Sequence, residues 1–169
     1  MIKHPFYLQL VFTFIMLCAI LTACKTSRHM INSEKVNVHA FRLKPGQDLR
    51  TEIENYVKQS NISAGWISTC AGSLTNYNIR FANQQNGTTG SGHFEIVSLT
   101  GTLSTNGSHM HISISDSTGT TIGGHLLQGC IIYTTAEIVI QSTSDLNFRR
   151  AKDGTTPWDE LQIDKADGK

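Results

Sequence analysis

The chain has few charged residues and no run of basic ones. Only 16% of its 169 residues are charged, and 14 Lys and Arg nearly balance 13 Asp and Glu, which gives a formal net charge of +1. Proteins that bind nucleic acids draw much of their affinity from clustered cationic side chains that contact phosphates. The composition therefore argues against a nucleic-acid partner.

Phosphate-binding loops are missing and cysteines are scarce. The Gly-rich segment 86–92, NGTTGSG, is followed by neither a helix nor a lysine, which excludes a phosphate loop and predicts a hairpin loop. Of four cysteines, Cys18 lies in an apolar N-terminal run and Cys24 follows that run. Export of the chain would permit a disulfide between the remaining two, Cys70 and Cys130. Their apolar, strand-like surroundings favour two buried free thiols instead.

The one long hydrophobic run stands at the N-terminus. Lys3 and His4 precede the apolar residues 6–23, FYLQLVFTFIMLCAILTA. This order is typical of a secretory signal peptide rather than a membrane-spanning helix. The ending LTAC at residues 21–24 resembles the lipobox of bacterial lipoproteins, whose cysteine is lipidated and becomes the new N-terminus. The alternatives are a plain signal peptide and an anchor helix with a chance cysteine.

A lipobox predicts a three-part chain. Residues 1–23 would be the signal peptide, residues 24–35 a polar tether that starts at the lipidated Cys24, and residues 36–165 the folded domain. The domain would then be lipid-anchored to a bacterial membrane in the cell envelope, facing the periplasm or the exterior, and not inserted in the bilayer. Because the signal removes Lys3 and no acid, the mature chain would hold 13 basic (14 − 1) and 13 acidic residues.

Hydrophobic patterning predicts an α+β domain with a mostly antiparallel sheet. Segment 36–43 alternates as a strand does, and Leu49, Ile53, Tyr56 and Val57 form one helical stripe. Asp48 is placed to cap that helix. Strand-like runs follow at 65–71, 75–82, 93–104, 109–115, 120–126 and 130–141, and segment 147–163 reads as an ordered extension. Many strands with a single helix indicate the α+β class.

Three of the seven histidines lie in one segment, HMHISISDSTGTTIGGH, at residues 109–125. Side chains alternate along a strand, so His109 and His111 share a face. A three-residue loop that ends at Gly119 places His125 opposite His111, whereas a two-residue loop places it opposite Met110. Three imidazoles together suit Zn²⁺ or a similar divalent metal. The alternative is three histidines on a polar face, hydrogen-bonded to Ser or Thr.

From His39 to about Ile163 the sequence resembles the PPC (plants and prokaryotes conserved) domain family. The segments that carry the resemblance are FRLKPGQDLRTEIENYVKQSNISAGWISTCAGSLTNYNIRFA, FEIVSLTGTLS, HMHISISDSTGTTIGGHLLQGCIIYTTAEIVI and FRRAKDGTTPWDELQI. The resemblance implies a sandwich with an antiparallel sheet that assembles as a homotrimer. Prokaryotic members carry the H-x-H…G-G-H pattern and some bind zinc there, which implies His109, His111 and His125 as metal ligands.

DNA binding, as in the plant members, is the weakest function that the resemblance implies for this chain. Plant members attach a basic AT-hook that binds A·T-rich minor grooves, and nothing like it occurs in this sequence. Fold alone does not carry a function.

Two functional classes stay open at this point. A metal-dependent hydrolase or lyase would need a general base, for which Glu95 or Glu137 is available, and Arg80 or Arg149 could hold an anionic substrate. Each also has a structural interpretation, since strand glutamates are usually solvated and Arg149 could pair with Asp153 or Glu160. The other class is a non-catalytic trimer that binds a small ligand or an envelope partner. His39 and His93 are expected to be surface residues.

Overall fold

The computed structural model describes residues 35–166. The predicted signal peptide, Cys24 and all of the predicted tether except Lys35 lie outside the described residues. Within residues 35–166, no helix is long and apolar enough to cross a membrane.

One antiparallel sheet of six strands forms most of the domain. Its order is β1-β6-β2-β3-β4-β5, and β2 also pairs with β5, so that β2, β3, β4 and β5 close into a ring extended by β6 and β1. The strands are β1 Asn37–Leu43, β2 Gly65–Arg80, β3 Thr88–Leu103, β4 His109–Ser115, β5 Thr121–Leu126 and β6 Ile131–Ser142. A separate hairpin pairs β7 Leu146–Ala151 with β8 Glu160–Lys165. The predicted α+β class with a mostly antiparallel sheet is confirmed.

The one helix among residues 35–166, α1 Leu49–Gln59, packs its apolar stripe into the core. Leu49, Ile53 and Val57 are at most 1% exposed, and each such burial contributes about 1.5–3 kcal/mol relative to an exposed side chain. The predicted cap is present, because the Asp48 carboxylate accepts a 2.8 Å hydrogen bond from the backbone N–H of Thr51. Asp48 also accepts a 2.6 Å bond from the N–H of Gly129, which ties the helix to the turn before β6.

The prediction of two separate strands at 65–71 and 75–82 was wrong, and so was that of a hairpin loop at 86–92. In both places strand pairing continues through polar residues. Segments 65–71 and 75–82 are one strand, β2, which carries an irregularity between Leu74 and Asn76. Most of the predicted hairpin loop 86–92 belongs to β3, which pairs with the far end of β2. The Tyr77 and Phe94 rings pack edge to face across this pair, with centroids 5.1 Å apart. Such cross-strand aromatic packing stabilises the extended hairpin despite its weak local strand propensity.

Both described cysteines are free and buried, as the sequence predicts. Burial raises the pKa of the Cys70 thiol to about 12 and that of the Cys130 thiol to about 11. The two thiols are therefore neutral and serve as small apolar core residues.

Candidate metal centre

The β4–β5 hairpin has the register that the three-residue loop predicts. The backbone N–H of Asp116 donates to the Thr120 carbonyl at 3.0 Å, and the N–H of Gly119 donates to the Asp116 carbonyl at 3.0 Å. Gly119 has φ +85°, a conformation that glycine adopts without the strain of a side chain. His111 consequently pairs directly with His125.

Core burial fixes which face of β4 carries the histidines. Met110, Ile112 and Ile114 are at most 3% exposed and point into the domain. Alternation along the strand then turns His109 and His111 outward, and both are exposed. A one-residue shift of β4 would turn these three core side chains to the solvent and the histidines to the core. Burial of the three apolar residues therefore also fixes the histidines on the outer face.

Three ring nitrogens converge on one point. His109 Nε2 lies 3.1 Å from His111 Nε2 and 3.0 Å from His125 Nδ1, and the last two atoms are 3.1 Å apart. A point about 1 Å above this nearly equilateral triangle is about 2.1 Å from all three nitrogens, which is the length of a zinc–histidine bond. The donor set and its geometry therefore fit a divalent metal ion of the zinc type.

Hydrogen bonding among the three rings cannot satisfy the cluster. Each converging nitrogen has only the other two as hydrogen-bond partners among residues 35–166. A neutral imidazole has one N–H and one lone pair, so a proton shared by two of the nitrogens still leaves lone pairs facing one another. A bound cation would accept all three lone pairs.

The surroundings of His109 and His125 favour their neutral forms. Desolvation, followed by the charges of Arg80 and His111, lowers the pKa of His125 to about 4. Desolvation is also the largest effect on His109, whose pKa is lowered further by the positive charge of Arg150. Neutral imidazoles are the form that binds metals.

Closure of the strand ring brings an arginine beside the histidines. At the end of β2, Arg80 pairs with His125 and Ile79 pairs with Leu126. A Cβ atom on Gly124 would lie 2.5 Å from the backbone oxygen of Arg80, closer than real Cβ contacts occur. The absence of a side chain at Gly124 therefore permits the close approach of β5 to β2.

A cavity of about 830 Å³ adjoins the cluster. His109 and His125 line it, together with three arginines, two acids and one tryptophan: Arg50, Arg80, Arg150, Asp159, Glu160 and Trp158. Residues at the ends of β2, β4 and β5 form another part of the cavity wall. The structure thus places Arg80 beside the histidines, in the wall of the same cavity.

The other proposed site residues lie elsewhere. Glu95 is exposed and pairs with Ser115, four residues along β4 from His111, or about 13 Å at strand spacing. Glu137 is exposed and pairs with Ala71, nine residues along β2 from Arg80, or roughly 30 Å.

Arg149 is also away from the cavity. It forms a 2.7 Å ion pair with Asp164 across the β7–β8 hairpin, rather than with Asp153 or Glu160 as one interpretation of the sequence had it. The pairing of Arg149 with Gln162 places it diagonally from Asp164 on the same hairpin. The sequence did not single out its neighbour Arg150. Only the alternation of side chains along the paired strand β7 shows that Arg150, and not Arg149, faces the cavity.

Asp159 and Glu160 were missed as cavity residues too. They follow Trp158 in a segment whose apolar residues predict packing and nothing more.

The remaining described histidines do not join the cluster. His93 is exposed, as expected, and its ring lies 4.4 Å from that of Tyr133. His39 was expected at the surface but is half-buried. It bridges Tyr56 Oη at 3.1 Å and Ser142 Oγ at 2.8 Å, because β1 lies between α1 and β6.

Comparison with known proteins places the chain in a family. The model of the Plants and Prokaryotes Conserved (PCC) domain matches residues 30–144. A relative, the bifunctional protein GlmU of Synechococcus sp. strain JA-3-3Ab, is 41% identical over 130 residues. That match covers 77% of this chain and 21% of the relative, so this chain corresponds to about a fifth of the relative's length.

Solved structures share the fold. A hypothetical protein from Salmonella is 38% identical, with a TM-score of 0.78 over 80% of this chain and 99% of that one. A protein of Archaeoglobus fulgidus described as metal-containing is 23% identical, with a TM-score of 0.66 over 79% of this chain and 99% of its own; that likeness shows the fold alone. The family match covers more than half of the chain, from before β1 to the end of β6. The chain therefore belongs to the Plants and Prokaryotes Conserved domain family, the family abbreviated PPC above.

Proposed function

We propose that this domain binds one divalent metal ion, zinc or a zinc-like ion, through His109 Nε2, His111 Nε2 and His125 Nδ1. The observation that carries the proposal is the triangle of ring nitrogens with sides of 3.0, 3.1 and 3.1 Å. Three protein nitrogens leave a fourth position of a tetrahedral zinc ion for water or a ligand. The adjoining cavity of about 830 Å³ is large enough for a small molecule at that position.

We infer that binding of a small ligand, rather than catalysis, is the primary role. Glu95 and Glu137, the general bases that the sequence offers, lie far along their strands from the histidines. A metal-dependent hydrolase or lyase is the second candidate, and Asp159 and Glu160 favour it because both line the cavity. A bound metal would lower the pKa of water, and one of these carboxylates would accept the proton.

DNA binding is not proposed. The chain carries no basic run and a formal net charge of only +1, which offers little for phosphate contacts.

Calorimetric titration of the purified, metal-stripped protein with Zn²⁺ tests the metal proposal. We expect one ion per chain. His111→Ala should weaken binding by more than about 100-fold, since loss of an outer-shell partner alone costs 10- to 100-fold. The matched control is His93→Ala, an exposed strand histidine that stacks near Tyr133 and should leave the affinity unchanged. Equal loss in both variants, or no binding by the parent protein, would refute the proposal.

A panel of ester, amide and phosphoester substrates separates the two candidate roles. A binding module leaves every substrate intact when zinc-loaded. Turnover that disappears in Glu160→Gln but not in Glu95→Gln would establish the enzyme instead.

We also propose that the domain is held at a bacterial membrane by lipid on Cys24. The LTAC ending of the apolar run supports this. Processing should be blocked by globomycin, and Cys24→Ser should abolish lipid labelling. Processing that is insensitive to globomycin would contradict the proposal.

Assembly as a homotrimer is proposed from the family resemblance. Light scattering of the purified protein should give about three times the mass of one chain. A clean monomer at micromolar concentration would contradict it.

A further inference from the structure

Three guanidinium groups from separate elements line the cavity beside the histidines. Arg50 comes from α1, Arg80 from the end of β2 and Arg150 from β7. Metal binding through three histidines does not need any of them. Their convergence on one cavity therefore calls for a different explanation.

Two of the three arginines form no salt bridge within residues 35–166, although the charge of Glu160 in the same cavity acts on Arg150. Arg50 forms an ion pair with Glu54 at 2.9 Å, and its Nη1 donates to the Leu126 carbonyl at 2.8 Å. Arg80 Nη1 donates to the Gln84 carbonyl at 3.2 Å, and Arg150 Nη2 donates to Thr102 Oγ1 at 2.7 Å. Neither Arg80 nor Arg150 forms an ion pair within residues 35–166. Each guanidinium has five N–H donors, so most of these remain for a ligand.

The neutral contacts fix the guanidinium groups in place. Arg80 also lies over the Trp158 ring, 5.7 Å from its centroid, a cation–π contact that orients it at the cavity wall. Arg150 is half-buried between β7 and β3. Guanidinium groups that are held by neutral contacts and form no salt bridge within the described residues are arranged as they are in anion receptors.

The charge of the cavity points the same way. The lining holds three arginines and two acids, Asp159 and Glu160, and Arg50 is already paired with Glu54, so the local formal charge is 3 − 3 = 0 when the histidines are counted as neutral. A divalent ion would raise this to about +2, since the ion carries its own charge into the site. An accompanying anion would offset that positive charge.

We infer that this cavity is an oxyanion subsite in which Arg80 and Arg150 bind the carboxylate or phosphate group of a small molecule next to the metal. The inference rests on the proposed metal function and names the class of its ligand. The rest of the molecule would contact the apolar part of the cavity wall at Trp158. Trp158 is 63% exposed and offers a ring face to an apolar or aromatic group.

Coupling between the two sites follows from their charges. Because the oxyanion and the metal attract each other, each should tighten the binding of the other by the same factor. Coupling of this kind is typically about 5- to 150-fold.

The test uses the purified protein loaded with Co²⁺, a spectroscopic substitute for zinc. Benzoate and phenyl phosphate supply the two oxyanions on one aromatic body, and benzamide is their uncharged analogue. We expect saturable changes in the Co²⁺ visible absorption with at least one oxyanion and none with benzamide. The response to each oxyanion decides between carboxylate and phosphate. In a separate zinc titration, the effective oxyanion should tighten metal binding at least about fivefold.

Variants at neighbouring arginines give the sharpest contrast. Arg150→Gln should weaken oxyanion binding at least about tenfold, yet leave zinc binding without the oxyanion unchanged or tighter, because a repelling charge is gone. The matched control Arg149→Gln changes the next residue, which pairs with Asp164 outside the cavity, and should keep full oxyanion binding. A merely structural role for Arg150 would weaken both ligands together.

Failure of this inference is distinguishable from failure of the metal proposal. Metal binding without an oxyanion response, or an equal response to benzamide, overturns the subsite and leaves the metal site standing. If no metal binds, the same oxyanions are titrated into metal-free protein and followed by Trp fluorescence, with Trp158→Phe as the assignment control. Quenching that Arg150→Gln removes would then support the subsite alone, and no quenching would overturn it.

Discussion

Histidines at two places in the same sheet meet different partners, and this difference separates a structural histidine from the proposed metal ligands. On β1, His39 lies between two hydroxyls, Tyr56 Oη at 3.1 Å and Ser142 Oγ at 2.8 Å. On β4 and β5, three histidines face one another at 3.0, 3.1 and 3.1 Å. Both ring nitrogens of His39 have hydroxyl partners in the protein, whereas the converging nitrogens of the cluster have only one another within residues 35–166 and could hold a cation.

The surroundings of the two places differ accordingly. His39 is half-buried beside the stacked rings of Phe41 and Tyr56, whose centroids are 4.3 Å apart. The cluster stands at the edge of a cavity of about 830 Å³ with charged walls. The hydroxyls of Tyr56 and Ser142 already occupy both ring nitrogens of His39, while the cluster is open to a ligand from the cavity.

Exchanging the two kinds of histidine for alanine should give opposite results, and this is the largest effect that we expect. His125→Ala should lose more than about 100-fold in zinc affinity and change the free energy of unfolding of the metal-free protein little. His39→Ala should keep zinc affinity but lose about 1–3 kcal/mol of stability, because two hydroxyls are left without their partner. Zinc calorimetry and urea unfolding in EDTA measure the two quantities. Loss of zinc affinity in His39→Ala would abolish the distinction.

A methyl group at Gly124 should damage the cluster from a distance. The added Cβ would lie 2.5 Å from the Arg80 carbonyl oxygen and push β5 from β2. We expect a loss of about 1–3 kcal/mol in stability from overpacking, together with weaker zinc binding, since His125 is the next residue. Thr121→Ala, an exposed position on the same strand, is the control and should change neither quantity greatly. Unchanged zinc affinity in Gly124→Ala would show that strand closure does not position His125.

The thiols should contribute nothing to metal binding, which is the smallest effect. Burial raises the pKa values of Cys70 and Cys130 to about 12 and about 11, so neither forms the thiolate that binds zinc. Alkylation mapped by mass spectrometry should leave both unmodified at pH 8 in the folded protein and modify both in guanidinium. Because folding raises these pKa values, the thiols' contribution to stability is complete below about pH 9 and declines as the pH rises towards 11. Rapid alkylation of the folded protein would contradict this.

The hairpin that carries the histidines could be predicted from the sequence because its signals are local. Gly119 determines the loop, alternation determines the face, and the loop length determines that His125 meets His111. The helix was predictable for the same reason, since its stripe and the Asp48 cap lie within one short segment.

Features that depend on distant pairing could not be predicted. The cavity is built from α1, β2, β4, β5 and the β7–β8 hairpin, which meet only through the closed ring of strands. Sequence patterns indicated that the tail packs, but not where, so Arg149 was favoured over Arg150 and the acids Asp159 and Glu160 were missed. Strand glutamates such as Glu95 were proposed as general bases, because the spacing of residues in a sequence does not show which end of a strand lies at the site.

Diffraction from crystals of the zinc-loaded protein, recorded on both sides of the zinc absorption edge, tests the central claim most directly. The account predicts one anomalous peak per chain, about 2.1 Å from His109 Nε2, His111 Nε2 and His125 Nδ1. The His39 site should show no peak. Absence of a peak at the three histidines, or histidine rings that turn away from one another, would contradict the metal site and leave three polar surface residues in its place.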